Sequence, residues 1–394
     1  MRIIVNISRV IVGFLFIFSG LIKANDPLGL SYKMQEFFEV WGKSHSSLNG
    51  IMLWLNDYAL AFSITTITLE VVVGLALLLG WGVRFFRWVL LLLIIFFTFL
   101  TGYAVISGKI KECGCFGNCI PLTAMQSFIK DIILGVLILI IFFGVKYIKS
   151  IFKGGVSFLL ICVAVLLILG FQWYVFKKLP VIDCLPFKTG NNILELRKMP
   201  ADAVADKVEF KFIYIKPVSI FPLHLVLGKE FNKNQLPDST WTFVKREDII
   251  IEAGKNNEPP INDFVLTTLS GTDTTEAILN QSAEYYLFFI KNVAKDTAQW
   301  LNNFKALANF VKQQNRNLIV IASQVTAAQQ FFNQENNFNL PVVGCDATAL
   351  KTAARTDPAL YLMKGPIIQK KWGRGDIDKA AKELSEPPKY RGRQ

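Results

Sequence analysis

Three cysteines fall within seven residues of one another in the stretch Lys109 to Pro121, which reads K-I-K-E-C-G-C-F-G-N-C-I-P. They are Cys113, Cys115 and Cys119, half of the six cysteines in the chain. Cysteines at this spacing can form a disulfide, exchange disulfides with another protein or hold a metal ion. The choice depends on the redox state of the compartment, so the topology of the chain has to be derived first.

Five apolar runs indicate that the first half of the chain lies in a membrane. The 394-residue sequence is 52% apolar and contains 33 phenylalanines, which is more apolar than a soluble domain of this size. A helix needs ~20 apolar residues to cross a bilayer, and five runs reach about that length: Ile3–Ile22, Tyr58–Leu79, Trp88–Ser107, Phe128–Ile148 and Val156–Phe176. Because Arg9 interrupts the first run and no small-x-small site follows it, we expect a retained helix and not a cleaved signal peptide.

The charge pattern predicts an orientation. The formal net charge of +12 is spread along the chain without a dense basic tract, so we expect lipid and not nucleic acid as a partner. Basic residues concentrate on one side of the predicted spans: Arg2, Arg84, Arg87, Lys146, Lys149 and Lys153. By the positive-inside rule this side is cytoplasmic. The cysteine loop and the carboxy-terminal half are then expected on the periplasmic side of a bacterial inner membrane, in an oxidising compartment.

Charged residues interrupt three of the apolar runs. Arg9 lies in the first run, Glu70 in the second and Asp131 in the fourth. A carboxylate inside a membrane helix is costly unless it is paired, protonated or hydrated, so these three side chains are candidates for one polar cluster. Two roles stay open: structural pairing, or the handling of a proton, a ligand or a transported solute.

Shorter patterns predict local structure around the spans. Gly13 and Gly20 are small residues that would let another helix approach the first run. Apolar residues at helical spacing after the first run predict a short helix, which either lies in the membrane interface or packs on the bundle as a cap: Met34, Phe37, Phe38 and Trp41. Thr123 and Gln126 have the spacing of a capping box and predict the start of the fourth helix.

The first 150 residues resemble the DoxX/MauE superfamily of small four-helix membrane proteins. The resemblance rests on three stretches: R-V-I-V-G-F-L-F-I-F-S-G-L-I-K-A-N-D-P-L-G from Arg9, E-V-V-V-G-L-A-L-L-L-G from Glu70, and C-G-C-F-G-N-C-I-P-L-T from Cys113. It implies a four-helix bundle. Members of the MauE-like branch are linked to disulfide formation or to maturation of periplasmic proteins.

Strand and helix patterns alternate from Ile261 onward. Y-Y-L-F-F-I-K, L-I-V-I-A-S and F-N-L-P-V-V-G-C-D predict strands, and apolar residues from Trp300 to Val311 recur at helical spacing. Two more strands are predicted around Lys364–Pro366, followed by a helix over Ile377–Leu384. With an opening strand from Ile261, the order β-α-β-α-β-β-α predicts helices around a mixed sheet.

This half resembles the thioredoxin-like fold in its peroxiredoxin and TlpA-like form. The segments D-F-V-L-T-T-L-S-G and T-D-P-A-L-Y-L-M-K-G carry the resemblance, which implies that Pro358 is cis and faces a binding site. The chain departs from that family where C-x-x-C or a peroxidatic cysteine would follow the first core strand, since K-N-V-A-K-D-T-A-Q-W from Lys291 contains no cysteine. We therefore expect an inactive docking module, with Cys345 as a buried structural thiol.

The two resemblances predict a multi-domain membrane protein, an α-helical DoxX-like bundle followed by an α/β thioredoxin-like domain. Its regions are a four-helix transmembrane domain over 1–150, a fifth transmembrane helix over 151–179, a β-rich linker or small module over 180–260, and a thioredoxin-like domain lacking C-x-x-C over 261–394. The combination resembles DoxX–thioredoxin-like fusions of Bacteroidota.

The favoured function is periplasmic thiol–disulfide exchange, or maturation of exported proteins, through Cys113, Cys115 and Cys119. An exported client or a redox partner is then expected, and a membrane quinone is a candidate electron acceptor, with no cofactor certain. The alternative is a non-catalytic binding or assembly protein whose loop disulfide is structural. A metal site on the three loop cysteines is the weakest hypothesis, because the chain has only two histidines and a further ligand such as Cys184 would be needed.

Overall fold

The computed structural model describes residues 1–44, 46–108, 110, 114, 116–216, 223–227, 242–252, 254–293 and 297–385. Of the three loop cysteines it describes Cys119, whereas Cys113 and Cys115 lie outside the described residues. The chain divides into two compact units. The larger consists of Met1–Gly190 together with Val265–Gln394, and the smaller of Asn191–Phe264.

Long helices dominate the first 190 residues. The α-helices in this part are α1 (Arg2–Ala24), α2 (Pro27–Ser44), α3 (Asn49–Asp57), α4 (Ala59–Leu79), α5 (Val83–Ser107), α6 (Ala124–Phe143) and α7 (Gly154–Lys177). Among the described residues, α1, α4, α5, α6 and α7 are long and apolar enough to cross a membrane. The five predicted runs thus correspond to five candidate spans, and these apolar helices are consistent with a multi-pass membrane protein.

Helices α1 and α4 approach each other closely through glycines. A Cβ atom at Gly74 would lie 2.7 Å from the carbonyl oxygen of Gly13, and one at Gly20 would lie 2.6 Å from the Val71 side chain. Both distances are too short for a larger residue without displacement of its neighbours. The close contact of α1 with a second helix, expected from Gly13 and Gly20, is present.

Helix α2 is a cap that packs on the bundle. Met34 and Phe37 are buried in its apolar cores, and Phe38 and Trp41 pack against the same cores. The Trp41 ring lies 5.7 Å from that of Phe99 on α5. Of the two alternatives for this stripe, the structure favours packing on the bundle.

Helix α6 begins at the predicted capping box. The Gln126 backbone N–H donates to the Thr123 hydroxyl at 3.2 Å, and the Thr123 backbone N–H donates to the Gln126 side-chain oxygen at 3.1 Å. Two backbone donors that would otherwise lack helical partners are thereby satisfied. Because the capping box sets the start of α6, Cys119 lies in the loop that precedes the helix.

The smaller unit contains α8 (Ile193–Leu196) and the strands β1 (Lys207–Lys216), β2 (Leu223–Leu227) and β3 (Thr242–Glu252). The three strands form an antiparallel sheet in the order β2–β1–β3. Alternating residues in V-E-F-K-F-I-Y-I-K and W-T-F-V-K are the sequence pattern behind β1 and β3.

The carboxy-terminal part of the larger unit is an α/β region. Its elements are α9 (Thr275–Leu279), β4 (Glu284–Ile290), α10 (Thr297–Gln313), β5 (Leu318–Ala322), α11 (Val325–Gln329), β6 (Val342–Gly344), α12 (Ala347–Ala353), β7 (Ala359–Lys364), β8 (Ile367–Gly373) and α13 (Ile377–Ser385). The sheet order is β6–β5–β4–β7–β8. Strands β4, β5 and β6 are parallel, while β7 is antiparallel to β4 and β8.

The central strands of this sheet are buried because helices pack against them. Phe288 on β4 contacts the rings of Trp300 and Phe304 on α10, with centroids 5.6 and 4.5 Å apart. The opening strand predicted from Ile261 is wrong as a regular strand. In the described residues of that segment, Thr267 forms only isolated bridges to Asp273 and Gly344. The chain turns back directly after it, where the Gly271 N–H donates to the Thr268 carbonyl and the Thr268 N–H donates to the Thr272 carbonyl.

Candidate functional site

A disulfide joins the cysteine loop to the chain that follows α7. Cys119 is bonded to Cys184, and their Cα atoms are 4.9 Å apart. The bond closes a loop with a sequence separation of 65 residues, which contains α6 and α7. A disulfide-bonded sulfur is not a thiolate ligand, so the metal hypothesis, which needs Cys119, does not hold in this oxidised state. The cluster of three cysteines therefore has a fourth participant, Cys184.

Two glycines shape the loop before Cys119. Gly114 and Gly117 have φ values of 65° and 58°, a left-handed region that favours glycine. The Gly117 N–H donates to the Gly114 carbonyl at 2.9 Å and closes the turn. Phe116, between them, packs its ring 6.2 Å from Phe18 on α1. The turn thereby fixes the loop against the bundle just before the disulfide.

The segment between α1 and α2 holds the loop and the chain after α7 in place. Asn25 makes two hydrogen bonds with the backbone of Ile182, at 2.8 and 3.0 Å, two residues before Cys184. Asp26 accepts a bond from Asn118 at 3.2 Å and pairs with Arg355 of the α/β region at 2.8 Å. The stretch K-A-N-D, which is part of the DoxX/MauE resemblance, therefore holds the cysteine loop, the chain after α7 and the α/β region together.

A cavity of about 230 Å³ lies within the bundle beside this loop. Its lining comes from α1, α4, α5, α6 and the cysteine loop: Leu15, Phe16, Ser19, Lys23, Glu70, Ile94, Phe97, Phe116, Lys130, Asp131 and Leu134. Apolar side chains predominate, but two lysines and two carboxylates face the same space. Their formal charges cancel.

One wall carries a buried ion pair that joins α1 to α4. Lys23 Nζ lies 2.5 Å from Glu70 Oε1, and the two side chains are 3% and 2% exposed. The Ser19 hydroxyl donates to Glu70 Oε2 at 3.0 Å, and the Lys23 ammonium lies 4.6 Å from the centre of the Phe97 ring. The carboxylate of Glu70 is thus paired and hydrogen-bonded, as a charge in this position requires.

A second pair lies on α6. Lys130 Nζ is 2.7 Å from Asp131 Oδ1, and Asp131 is almost fully buried. The Thr101 hydroxyl of α5 donates to Asp131 Oδ2 at 3.1 Å. The Lys130 ammonium also lies 5.1 Å from the centre of the Phe116 ring. Glu70 and Asp131 therefore line one cavity, each beside a lysine that the sequence reading did not single out.

Arg9 is not part of this cluster, so the expectation that it joins Glu70 and Asp131 is wrong. Its Nε donates to the Leu77 carbonyl at 2.7 Å, and its two terminal nitrogens donate to the carbonyls of Leu78 and Lys149. The physical reason is the end of α4, where carbonyls without helical partners need donors. Arg9 caps that end, far along α1 from Lys23.

A second polar cleft lies between α2 and the α/β region. Tyr32 of α2 accepts a hydrogen bond from Lys291 Nζ at 2.9 Å, and the backbone N–H of Lys291 donates to Asp357 at 2.8 Å. The Asp357–Pro358 peptide bond is cis. Thr356 and Asp357 line the cleft together with Tyr32 and Lys291. The loop that contains Pro358 therefore approaches the bundle's own helix α2.

Lys291 directly follows β4, where the thioredoxin-like resemblance would place a cysteine. Burial lowers the pKa of its ammonium to about 8, partly opposed by Asp357, which raises it, while Arg355 lowers it further. Burial raises the pKa of the neighbouring Tyr32 phenol to about 12. At neutral pH the contact is therefore between an ammonium and a neutral phenol.

We expect a pH-dependent stability from Lys291. Its folded pKa of about 8 is below the ordinary value of 10.5, so the unfolded chain binds more protons between these pH values and stability rises with pH across that window. Lys291→Met should remove this rise, seen as a smaller gain in unfolding temperature from pH 7 to pH 9.5 by intrinsic tryptophan fluorescence. Lys364→Met, at an exposed lysine, is the control. Parallel profiles for wild type and Lys291→Met would contradict the assignment.

The other two described cysteines lie apart from the disulfide. Cys345 is buried in the α/β region at the end of β6, and Cys162 is partly buried in α7. Neither is disulfide-bonded. Their positions among apolar residues are typical of cysteines that pack as small hydrophobic side chains.

These features define a multi-pass membrane protein with a disulfide-bearing loop and, beside it, a largely apolar cavity that carries two ion pairs. Residues 1–144 match the family described as Methylamine utilisation protein MauE, so this region is MauE-like. Residues 228–253 match a second family, described as Domain of unknown function (DUF8463). No curated protein and no solved structure matches the chain.

Proposed function

We propose that this protein exchanges disulfides with exported proteins, and that Cys119–Cys184 is the bond that opens and closes. The observation that carries the proposal is the position of this disulfide between the cysteine loop and the chain after α7. Cys113 and Cys115 precede Cys119 by six and four residues in the sequence. They are candidates to relay the exchange to a client.

The exchange is balanced between client and protein. A client thiolate attacks a sulfur of the protein disulfide, so that an S–S bond to the client forms while the bond within the protein breaks. The second client thiolate then attacks the mixed disulfide and releases the protein sulfur. The client is oxidised by two electrons and Cys119 and Cys184 are reduced to thiols. A membrane quinone is the proposed acceptor that reoxidises them.

The proposed orientation has the amino terminus in the cytoplasm and the cysteine loop and α/β region in the periplasm of a bacterial inner membrane. The distribution of lysine and arginine supports it. The disulfide joins the loop before α6 to the chain after α7, and the Asp26–Arg355 pair joins the segment after α1 to the α/β region, so both support a common side for these segments. A disulfide is typical of an oxidising compartment such as the periplasm. With five spans, all of these segments lie on one side.

A second candidate is a non-catalytic assembly protein whose α/β region is a thioredoxin-like docking module. The mixed five-stranded sheet supports such a fold. The observation that favours docking over catalysis is Lys291, which follows β4 in place of a cysteine and bonds to Tyr32. In this proposal the Pro358 loop docks on the protein's own bundle, and other faces of the module hold the partner.

The redox behaviour of the disulfide tests the first proposal against the second. Membranes containing the full chain are equilibrated in glutathione buffers, denatured, and treated with a maleimide mass tag that counts thiols. An exchanging disulfide opens within the range of the glutathione buffers, whereas structural disulfides typically have potentials below about −300 mV. We expect two additional tags in reducing buffers, and slower opening when Cys113 and Cys115 are both changed to alanine.

In the variant without Cys113 and Cys115, the thiols of Cys162 and Cys345 give a constant baseline of two tags. A bond that stays closed at every glutathione ratio would overturn the exchange proposal and leave the docking proposal. Opening at the same rate with and without Cys113 and Cys115 would remove these two cysteines from the mechanism.

A further inference from the structure

We infer that the cavity beside the cysteine loop binds the ring of a membrane quinone, the acceptor that the proposed function requires. The inference rests on that proposed function for its chemistry and on the cavity for its site. The cavity is large enough for such a ring. A cavity of about 150 Å³ is enough to bind benzene, so a cavity of about 230 Å³ accommodates a substituted six-membered ring.

The charges of the cavity select a neutral ligand. Lys23 with Glu70, and Lys130 with Asp131, give two cations and two anions around one space. An added ion of either sign would be attracted by one member of each pair and repelled by the other. A neutral molecule with hydrogen-bond acceptors avoids this conflict, because lysine ammonium groups act only as donors. A quinone has such acceptors in its two carbonyl oxygens.

The remaining lining suits a flat, apolar ring. Phe16, Phe97 and Phe116 contribute aromatic faces, and such faces pack favourably against other planar rings. Phe18, in contact with Phe116, is 41% exposed on α1. On a membrane-spanning helix this exposed side faces lipid, and Phe116 lies between Phe18 and the cavity, so a quinone entering from lipid would pass these two rings.

The cavity lies close enough to the disulfide for electrons to pass from the cysteines to a quinone bound in it. Phe116 lines the cavity and precedes Cys119 by three residues, which limits the separation of their Cα atoms to ~11 Å. When two cysteine thiols form the Cys119–Cys184 bond, two S–H bonds break and two electrons and two protons are released. The quinone takes up both and becomes the quinol.

Binding to the oxidised protein tests the site independently of exchange. The full chain is purified in detergent with its disulfide closed, and binding of ubiquinone-1 and menadione is measured by equilibrium dialysis. We expect saturable binding that Leu134→Trp abolishes by filling the cavity. Lys130→Met, which removes a donor, should weaken it at least tenfold. Lys153→Met, at an exposed lysine outside the cavity, should bind as wild type does.

Each outcome decides the inference. Equal uptake by wild type and Leu134→Trp would mean partition into detergent and would overturn it, as would no uptake by wild type. If Leu134→Trp does not fold, Phe116→Leu takes its place, with expected weaker binding and an intact disulfide by mass tag. Quinone binding to a protein whose disulfide never opens would keep the site and overturn the exchange function, so the two failures are distinguishable.

Discussion

Replacing Glu70 with alanine should destabilise the protein by about 3–5 kcal/mol, because it leaves the ammonium of Lys23 buried without its partner. Lys23 and Glu70 are only 3% and 2% exposed, with 2.5 Å between their charged atoms. Lys23 must then lose its proton, pull water into the bundle or move toward the interface, and each response costs free energy. Reversible unfolding in mixed detergent micelles measures the loss.

A double variant separates the cost of the unpaired charge from the loss of the Glu70 side chain. The double variant Lys23→Met/Glu70→Leu replaces both charges with apolar groups of similar size, and we expect it to be more stable than Glu70→Ala alone, since no unpaired charge is left. Glu36→Ala is the matched control, because Lys33 and Glu36 form a partly exposed pair at 3.2 Å and pairs at the surface contribute about 0–1 kcal/mol. A Glu70→Ala loss no larger than that of Glu36→Ala would refute the prediction.

The same pair shows what could be predicted from the sequence. A carboxylate within an apolar run signals a costly buried charge, so Glu70 and Asp131 could be singled out from composition alone. Lys23 could not, because it lies at the end of α1, where a lysine usually reaches solvent. Its side chain turns into the bundle and meets Glu70 of α4 instead, which is a matter of packing between helices that sequence spacing does not reveal. Lys130 directly precedes Asp131 on α6, so its pairing with Asp131 is local.

Arg9 illustrates the opposite error. Like the two carboxylates, it interrupts an apolar run, and grouping it with them is reasonable on charge alone. In the structure, the guanidinium nitrogens of Arg9 donate to carbonyls at the end of α4. Whether these carbonyls lie within reach of Arg9 depends on where α4 ends beside α1. Hydrophobic periodicity predicts the five apolar helices and the mixed carboxy-terminal sheet. It does not predict which side chains contact each other when they are distant in sequence, as Arg9 and Leu77 are.

The disulfide partner of Cys119 is likewise distant in sequence. Clustering made Cys113 and Cys115 the obvious candidates, and Cys184 lies 65 residues away in sequence. A local signal was nevertheless present. Cys184 closely follows the fifth predicted span. Two predicted spans, α6 and α7, lie between the cysteine loop and Cys184, and an even number of crossings returns the chain to the same side of the membrane.

Changing Cys184 to serine should lower the stability of the oxidised protein and make Cys119 available to maleimide. For a closed loop of this length the chain-entropy estimate is about 4 kcal/mol. That estimate assumes a flexible loop in the unfolded state, but α6 and α7 cross the membrane within it and already hold its ends near one another. We therefore expect a smaller loss of about 1–2 kcal/mol, measured by unfolding in micelles.

The stability losses of the two single cysteine variants should not add in the double variant. Cys119→Ser, Cys184→Ser and the double variant all remove the same bond, so their losses should be equal within about 0.5 kcal/mol, whereas independent sites would add. Cys162→Ala, at a cysteine without a disulfide, controls for the loss of a thiol. Losses that add would show that the two cysteines act separately, and exchange would then have to use another pair. Equal losses mean that opening this one bond frees the segment after α7, so its redox state controls how firmly that segment is held to the cysteine loop.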